Sequence, residues 1–153
     1  MTQDSTVAPA LPACAGLLRR LGAMIYDGLL LVALFMVATA LFLPFTGGEA
    51  IHPRGTPLLE YAYRGVLLLV VVGFHGLFWT RRGQTLGMAS WRLRVEREDG
   101  HLLGWGDTLR RLAWAFVSLL PLGLGYLWIV FDPQRRAWHD RLSRTRVVVV
   151  VPG

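Results

Sequence analysis

The sequence predicts an all-α polytopic membrane protein with two spanning helices. A third apolar segment is broken or re-entrant, and a short cytoplasmic β-hairpin or small sheet completes the fold. Three observations carry this prediction. Of the 153 residues, 54% are hydrophobic and only 17% charged, against roughly 25% charged in soluble domains. Mean hydropathy is +0.44. The apolar residues gather in three long runs separated by arginine-rich stretches, which is the pattern of membrane spans with basic inner loops. A chain of this length allows one domain.

Residues 1–16 are small, polar and proline-containing, and read as a disordered N-terminal tail. Residues 17–151 then form a single membrane domain. Its first apolar segment, Leu21–Phe45, is polar only at Tyr26, Asp27 and Thr39. It exceeds the roughly 20 residues a spanning helix needs. No basic stretch or long apolar run precedes Cys14, so lipidation there is not expected. Residues 46–57 make a Gly/Pro-rich turn. The second apolar segment is Leu58–Trp79. Glu60 and Arg64, four apart at its start, form a helical ion pair. Trp79 suits the aromatic belt of a membrane interface.

Residues 80–111 are polar. Trp91–Arg97 alternates apolar and charged residues, the period of a half-buried strand, and Asp99-Gly100 signals a turn. The third apolar segment, Leu112–Phe131, is interrupted by Pro121 and the glycines after it. Five consecutive valines, Val147–Val151, make a second strand candidate.

Arginine counting sets the topology. All sixteen basic residues are Arg, against ten acidic residues. The arginines divide as 2 in the N-terminal segment, 2 in 46–64, 7 in 80–111 and 5 in the tail. Three full crossings from a cytoplasmic N-terminus put the tail outside, against the positive-inside tendency. A re-entrant hairpin at Pro121–Gly125 returns the tail inside and leaves only two arginines outside. It also lets Val147–Val151 meet Trp91–Arg97 on one side of the membrane. Broken backbone at membrane depth is tolerated where protein buries it. A straight third helix is the alternative.

Five residues are candidates for chemistry. Asp27 lies seven residues after Arg20 on the same helix face, about 10 Å further along. A carboxylate at that depth costs about 2.5–3.5 kcal/mol, so it is protonated, paired or wetted. It serves either as an ion or proton site or as a polar staple between helices. Arg110, Arg111 or a tail arginine are its expected partners. His75 falls at similar depth, about 6 Å from the inner boundary, which suits a proton relay or a simple hydrogen bond. His139-Asp140 sits among Arg135, Arg136, Arg141 and Arg144, and Asp140 reads as a salt-bridge organiser. Gly83-Gln84-Thr85-Leu86-Gly87 reads as the turn into an interfacial helix.

These blocks resemble the RDD family of small bacterial membrane proteins. Arg20 to Asp27 resembles the family's opening Arg–x6–Asp signature. Gly83, Gln84, Thr85 and Gly87 resemble its motif after the second helix. Trp91–Val95 with Asp99-Gly100 resembles the next block, and His139-Asp140-Arg141 with Thr145 and Val147 the closing one. The resemblance covers roughly residues 17–151. One departure is Met88, where the family motif commonly continues with a basic residue. The resemblance implies membrane location and a signature triad of Arg20, Asp27 and Asp140. For some members it also implies cation/proton antiport.

The expected role is monovalent cation/proton antiport or other small-solute transport, in a bacterial inner membrane with the N-terminus cytoplasmic. The alternative is a non-transporting scaffold that binds lipid or assists a partner. Expected partners are the bilayer, anionic lipid head groups through the inner arginines, and a second copy or another membrane protein. No nucleic acid is expected, because no reading motif accompanies the positive charge. One cysteine excludes an internal disulfide and a multi-cysteine metal site. No P-loop, GxSxG, HExxH or dinucleotide fingerprint is present, so neither cofactor nor enzymatic activity is expected.

Overall fold

A computed structural model of the chain describes residues 13–47 and 57–150. Helix α1 runs Leu17–Phe42 and closes in a 3-10 turn, Leu43–Thr46; helix α2 runs Pro57–Arg81. Both are long and apolar enough to cross a membrane. At 1.5 Å per residue α1 is about 39 Å long, more than a hydrocarbon core requires. Their outer faces stay uncovered: Ile25, Leu29 and Met36 of α1 and Leu68 and Leu69 of α2 are all exposed, as lipid-facing surface is.

The two helices are tied far from the motif region. Thr39 Oγ1 donates to the Phe35 carbonyl at 2.7 Å and lies 2.8 Å from the Tyr63 hydroxyl. Phe42 meets the Tyr63 ring edge-on at 5.3 Å. Glu60 and Arg64 pair as their spacing predicts. Most of the expected turn at 46–57 lies outside the described residues.

The third apolar segment is broken. Helix α4 (Trp105–Leu119) is followed by α5 (Leu124–Leu127) and a 3-10 turn, Trp128–Val130. The two halves are bent by 106°, which excludes the straight helix. Pro121 removes a backbone donor. Leu122 and Gly123 adopt positive φ, 54° and 79°, and the chain reverses there. The sequence placed residues 105–111 in a polar loop, yet α4 begins at Trp105. The Gly104 N–H donates to Asp107 Oδ2 at 3.1 Å, capping that helix start.

The remaining elements gather at the Leu17/Arg81 end of the helix pair. They are α3 (Leu86–Ser90), strand β1 (Leu93–Arg97), α6 (Trp138–Leu142) and strand β2 (Thr145–Val149). β1 and β2 pair antiparallel, Leu93 opposite Val149 and Arg97 opposite Thr145. They are a small sheet closed across some fifty residues, not a hairpin. Leu93, Val95 and Val147 point into a core with Ala15, Ala23, Trp79 and Met88. Val151 lies outside the described residues.

The last residues of the expected tail are docked on the sheet. The Ala15 N–H donates to Val147 at 2.9 Å, Val149 donates to Ala13 at 3.0 Å, and Cys14 bridges Val148. Ala15 is fully buried. Residues 13–16 are thus an edge segment on β2, and residues 1–12 lie outside the described residues.

Candidate functional site

Two buried polar clusters join the signature residues, and each links parts of the chain that hydropathy cannot connect. The first holds Asp27. Its Oδ2 accepts from the Thr85 hydroxyl and its Oδ1 from the Gly87 N–H at 2.9 Å. Thr85 caps α3, its Oγ1 accepting from the Met88 N–H at 3.2 Å. The carboxylate therefore clamps α1 to the start of α3. The expectation of an arginine partner fails: both oxygens are taken by a hydroxyl and a backbone amide that neutral-looking residues provide.

The glycine motif divides between that clamp, through Thr85 and Gly87, and strand β1, through Gly83 and Gln84. Gly83 adopts φ +67°, and a Cβ there would lie 2.8 Å from the Val95 carbonyl oxygen. Its own carbonyl accepts from the Val95 N–H at 2.7 Å. Gln84 Nε2 donates to the Leu93 carbonyl at 2.8 Å. Gly87 packs so closely on α1 that a Cβ would stand 2.3 Å from the Ala23 carbonyl oxygen.

The second cluster centres on Asp140, whose side chain is wholly buried. Arg20 Nη1 donates to Asp140 Oδ2, which also accepts from the Ala137 N–H at 3.1 Å. Arg111 Nη1 lies 2.7 Å from Oδ1 and donates to Thr145 Oγ1. Arg20 spends its other nitrogens on backbone, Nε to Ala15 at 3.1 Å and Nη2 to the Arg135 carbonyl at 2.9 Å. That three-way fork needs a guanidinium; a lysine has one nitrogen and cannot reach all three. The expected company of Asp140 is corrected here. Its partners are Arg20 and Arg111, while Arg141 pairs with Asp132 and Arg136 with Glu98. Burial alone raises the Asp140 carboxyl, but the Arg111 and Arg20 guanidiniums outweigh it and hold the group well below the usual carboxylate range.

His139, next in chain, packs on the Tyr126 ring at 4.5 Å. Burial, with Arg111 and Arg20 nearby, pushes its pKa down from 6.5 to about 3, against the opposing pull of Asp140. A folded state that refuses a proton the unfolded chain accepts loses stability as pH falls through that interval. The melting temperature in detergent is therefore expected to drop steadily from about pH 6.5 downward. His139→Gln removes the loss between roughly pH 6.5 and 4 and leaves the acid limb of Asp140. An unchanged profile in that variant assigns the loss to another group.

Between the clusters lies a cavity of about 260 Å³, lined by Arg20, Asp27, His75, Trp79, Arg111 and His139 among others. The structure brings Asp27 and His75 to one cavity. His75 Nδ1 is bonded to the Val71 carbonyl at 2.9 Å and its ring meets Trp79 at 4.8 Å. Asp140 lies behind the cavity wall. Sequence reasoning left Trp79 as a mere interface marker and missed Tyr126. Arg111 was considered only as a partner of Asp27, and the doublet Arg110-Arg111 does not reveal which guanidinium turns inward. Arg110 pairs with Asp107 at 2.7 Å; Arg111 stacks over Trp79 at 5.3 Å. Met88 is buried and lines the same cavity. Among the described residues, no group of three His, Cys, Asp or Glu is placed to hold a metal ion.

An uncharacterized protein of Rickettsia prowazekii, RP437, is 28% identical over 81 residues, 53% of this chain and 45% of that protein. The chain thus spans less than half of that relative's length. No solved structure matches. The RDD family matches residues 14–144, a range holding Arg20, Asp27, the Gly83–Gly87 motif and Asp140, the residues that build both clusters. The chain belongs to the RDD family.

Proposed function

We propose that this protein is a non-transporting, lipid-binding scaffold of the bacterial inner membrane, not an antiporter and not an enzyme. One observation carries the reading: both signature carboxylates are consumed by bonds that hold the fold together. An antiport site needs a carboxylate free to exchange a proton for a cation. Asp27 offers both oxygens to Thr85 and Gly87, and Asp140 is locked between two guanidiniums. The arginine distribution supports a cytoplasmic motif region. There, exposed Arg19, Arg81, Arg82 and Arg92 suit anionic head groups. The uncovered apolar faces of α1 and α2 leave area for a second copy or a partner membrane protein.

Antiport is the second reading, favoured by Asp27 and His75 sharing one cavity. The two separate in proteoliposomes. Proton flux is followed on adding Na⁺, K⁺ or Li⁺ to wild type and Asp27→Asn. The scaffold predicts no cation-dependent flux from folded wild type. It also predicts a loss of about 1–3 kcal/mol of stability in the variant, because the Thr85 hydroxyl loses its acceptor. Cation-dependent flux that vanishes in Asp27→Asn overturns the scaffold and establishes antiport.

A further inference from the structure

The cavity has one wall made by a single stripe of α1: Leu17, Arg20, Leu21, Met24, Asp27, Gly28 and Leu31. From Leu17 to Leu31 that stripe runs about 21 Å along the helix. Leu112, Ala115 and Ile129 face it, so most of the length is apolar. A slot of this shape accepts a hydrocarbon chain.

Its other wall holds unused donors. Trp79 is buried, 7% exposed, and its Nε1 has no hydrogen-bond partner. An indole N–H only donates, and a buried donor without an acceptor is costly. Arg111 spends a single nitrogen, Nη1, on Thr145 and Asp140. Charge agrees with the donors. Arg20 and Arg111 share one carboxylate, Asp140, so positive charge gathers at this end, while the balancing Asp27 carboxylate lies further along the cavity. Asp27 is two turns further along α1, with both oxygens already bonded to Thr85 and Gly87.

We propose that the cavity binds an alkyl-chain amphiphile with an oxyanion head, a carboxylate or a phosphate. The head sits at Trp79 and Arg111, and the chain lies along the α1 stripe. This rests on the lipid-binding reading above and gives it a site. A free cation is repelled by the guanidiniums there. A neutral amphiphile offers Arg111 no charge-assisted bond.

The test is binding to the full chain in detergent, by native mass spectrometry and titration calorimetry. Four probes separate the requirements: oleate, phosphatidate, oleyl alcohol with the chain but no oxyanion, and inorganic phosphate with no chain. Saturable binding of one oleate or one phosphatidate per chain is expected, and the stronger of the two identifies the head. Oleyl alcohol should bind at least about tenfold more weakly, the effect of losing a charge-assisted bond, and phosphate should not bind. Trp79→Phe keeps the ring but removes the donor, and should weaken oleate or phosphatidate by about tenfold. Ala115→Trp fills the slot and should abolish binding, with circular dichroism checking that it folds; if it does not, Trp79→Phe alone decides. Equal binding of oleyl alcohol overturns the oxyanion assignment. Anion binding untouched by the folded variants places the lipid on the surface arginines, so that the cavity proposal fails and lipid binding stands. No amphiphile bound by folded wild type ends both.

Discussion

Asp140→Asn is expected to cost about 3–5 kcal/mol of stability, a large share of the roughly 5–15 kcal/mol that keeps a domain folded. The reason is the company of the carboxylate. Arg20 and Arg111 are 7% and 5% exposed, and Asp140 is the one carboxylate in contact with either guanidinium among the described residues. An amide keeps the size and an acceptor oxygen but removes the charge, so two buried guanidiniums are left facing one another. Breaking a buried ion pair from one side is costly because the partner charge stays behind. Arg111→Leu should cost less, because Asp140 retains Arg20 and loses a repelling neighbour of that arginine. The damage in Asp140→Asn should also spread. Arg20 holds the Ala15 and Arg135 carbonyls, so the edge segment at residues 13–16 should loosen with it. Urea or thermal unfolding followed by circular dichroism measures the first effect, and amide hydrogen exchange at Ala15 the second. A loss under about 1 kcal/mol would show that the triad is not what holds α1, α4 and α6 together.

The spans, the hairpin and the strands were legible in the sequence because each signal is local. A run such as Val66–Trp79 reports its environment without reference to the rest of the chain, and Pro121 with Gly123 marks a break wherever it packs. The return of the tail was legible from charge, since the arginines after Phe131 need a side of the membrane. Pairing was not legible. Thr85 is 58 residues from Asp27, and Asp140 is 120 from Arg20. Sixteen arginines offer many partners for each carboxylate, and the expectation of an arginine for Asp27 followed the commonest partner type. Its actual partners are a hydroxyl and a backbone N–H, and a backbone amide leaves no mark in composition. The start of α4 was missed because hydropathy was followed in place of periodicity: Trp105, Leu109 and Leu112 lie on one helical face, but arginines at 110 and 111 mask the run. The docking of Ala13–Ala15 on β2 carries no sequence signal, since three small residues suit a tail equally well.

Gly87→Ala tests whether the Asp27 clamp is a rigid part of the fold. Helix propensity alone favours the change: alanine in a helix is worth about 1 kcal/mol over glycine. Geometry opposes it. The new methyl would stand 2.3 Å from the Ala23 carbonyl oxygen and 2.9 Å from the Asp27 carboxylate. The first neighbour is backbone of a 26-residue helix and cannot rotate aside, so α3 must move off α1. Overpacking of that kind costs about 1–3 kcal/mol. Separation also strips the Gly87 N–H and Thr85 hydroxyl from a buried carboxylate, at about 1–3 kcal/mol more. The clash should therefore outweigh propensity, for a net loss of roughly 3 kcal/mol. In a domain of this size that is a fall of roughly 6–12 °C in melting temperature. Gly73→Ala in α2 is the internal control, because nothing lies within 4 Å of its Cβ position and propensity should act alone, with a small gain. If Gly87→Ala melts with wild type or above it, α3 moves freely against α1. Asp27 is then not held in a fixed clamp, and a carboxylate able to leave Thr85 and Gly87 is again available to carry a proton or a cation.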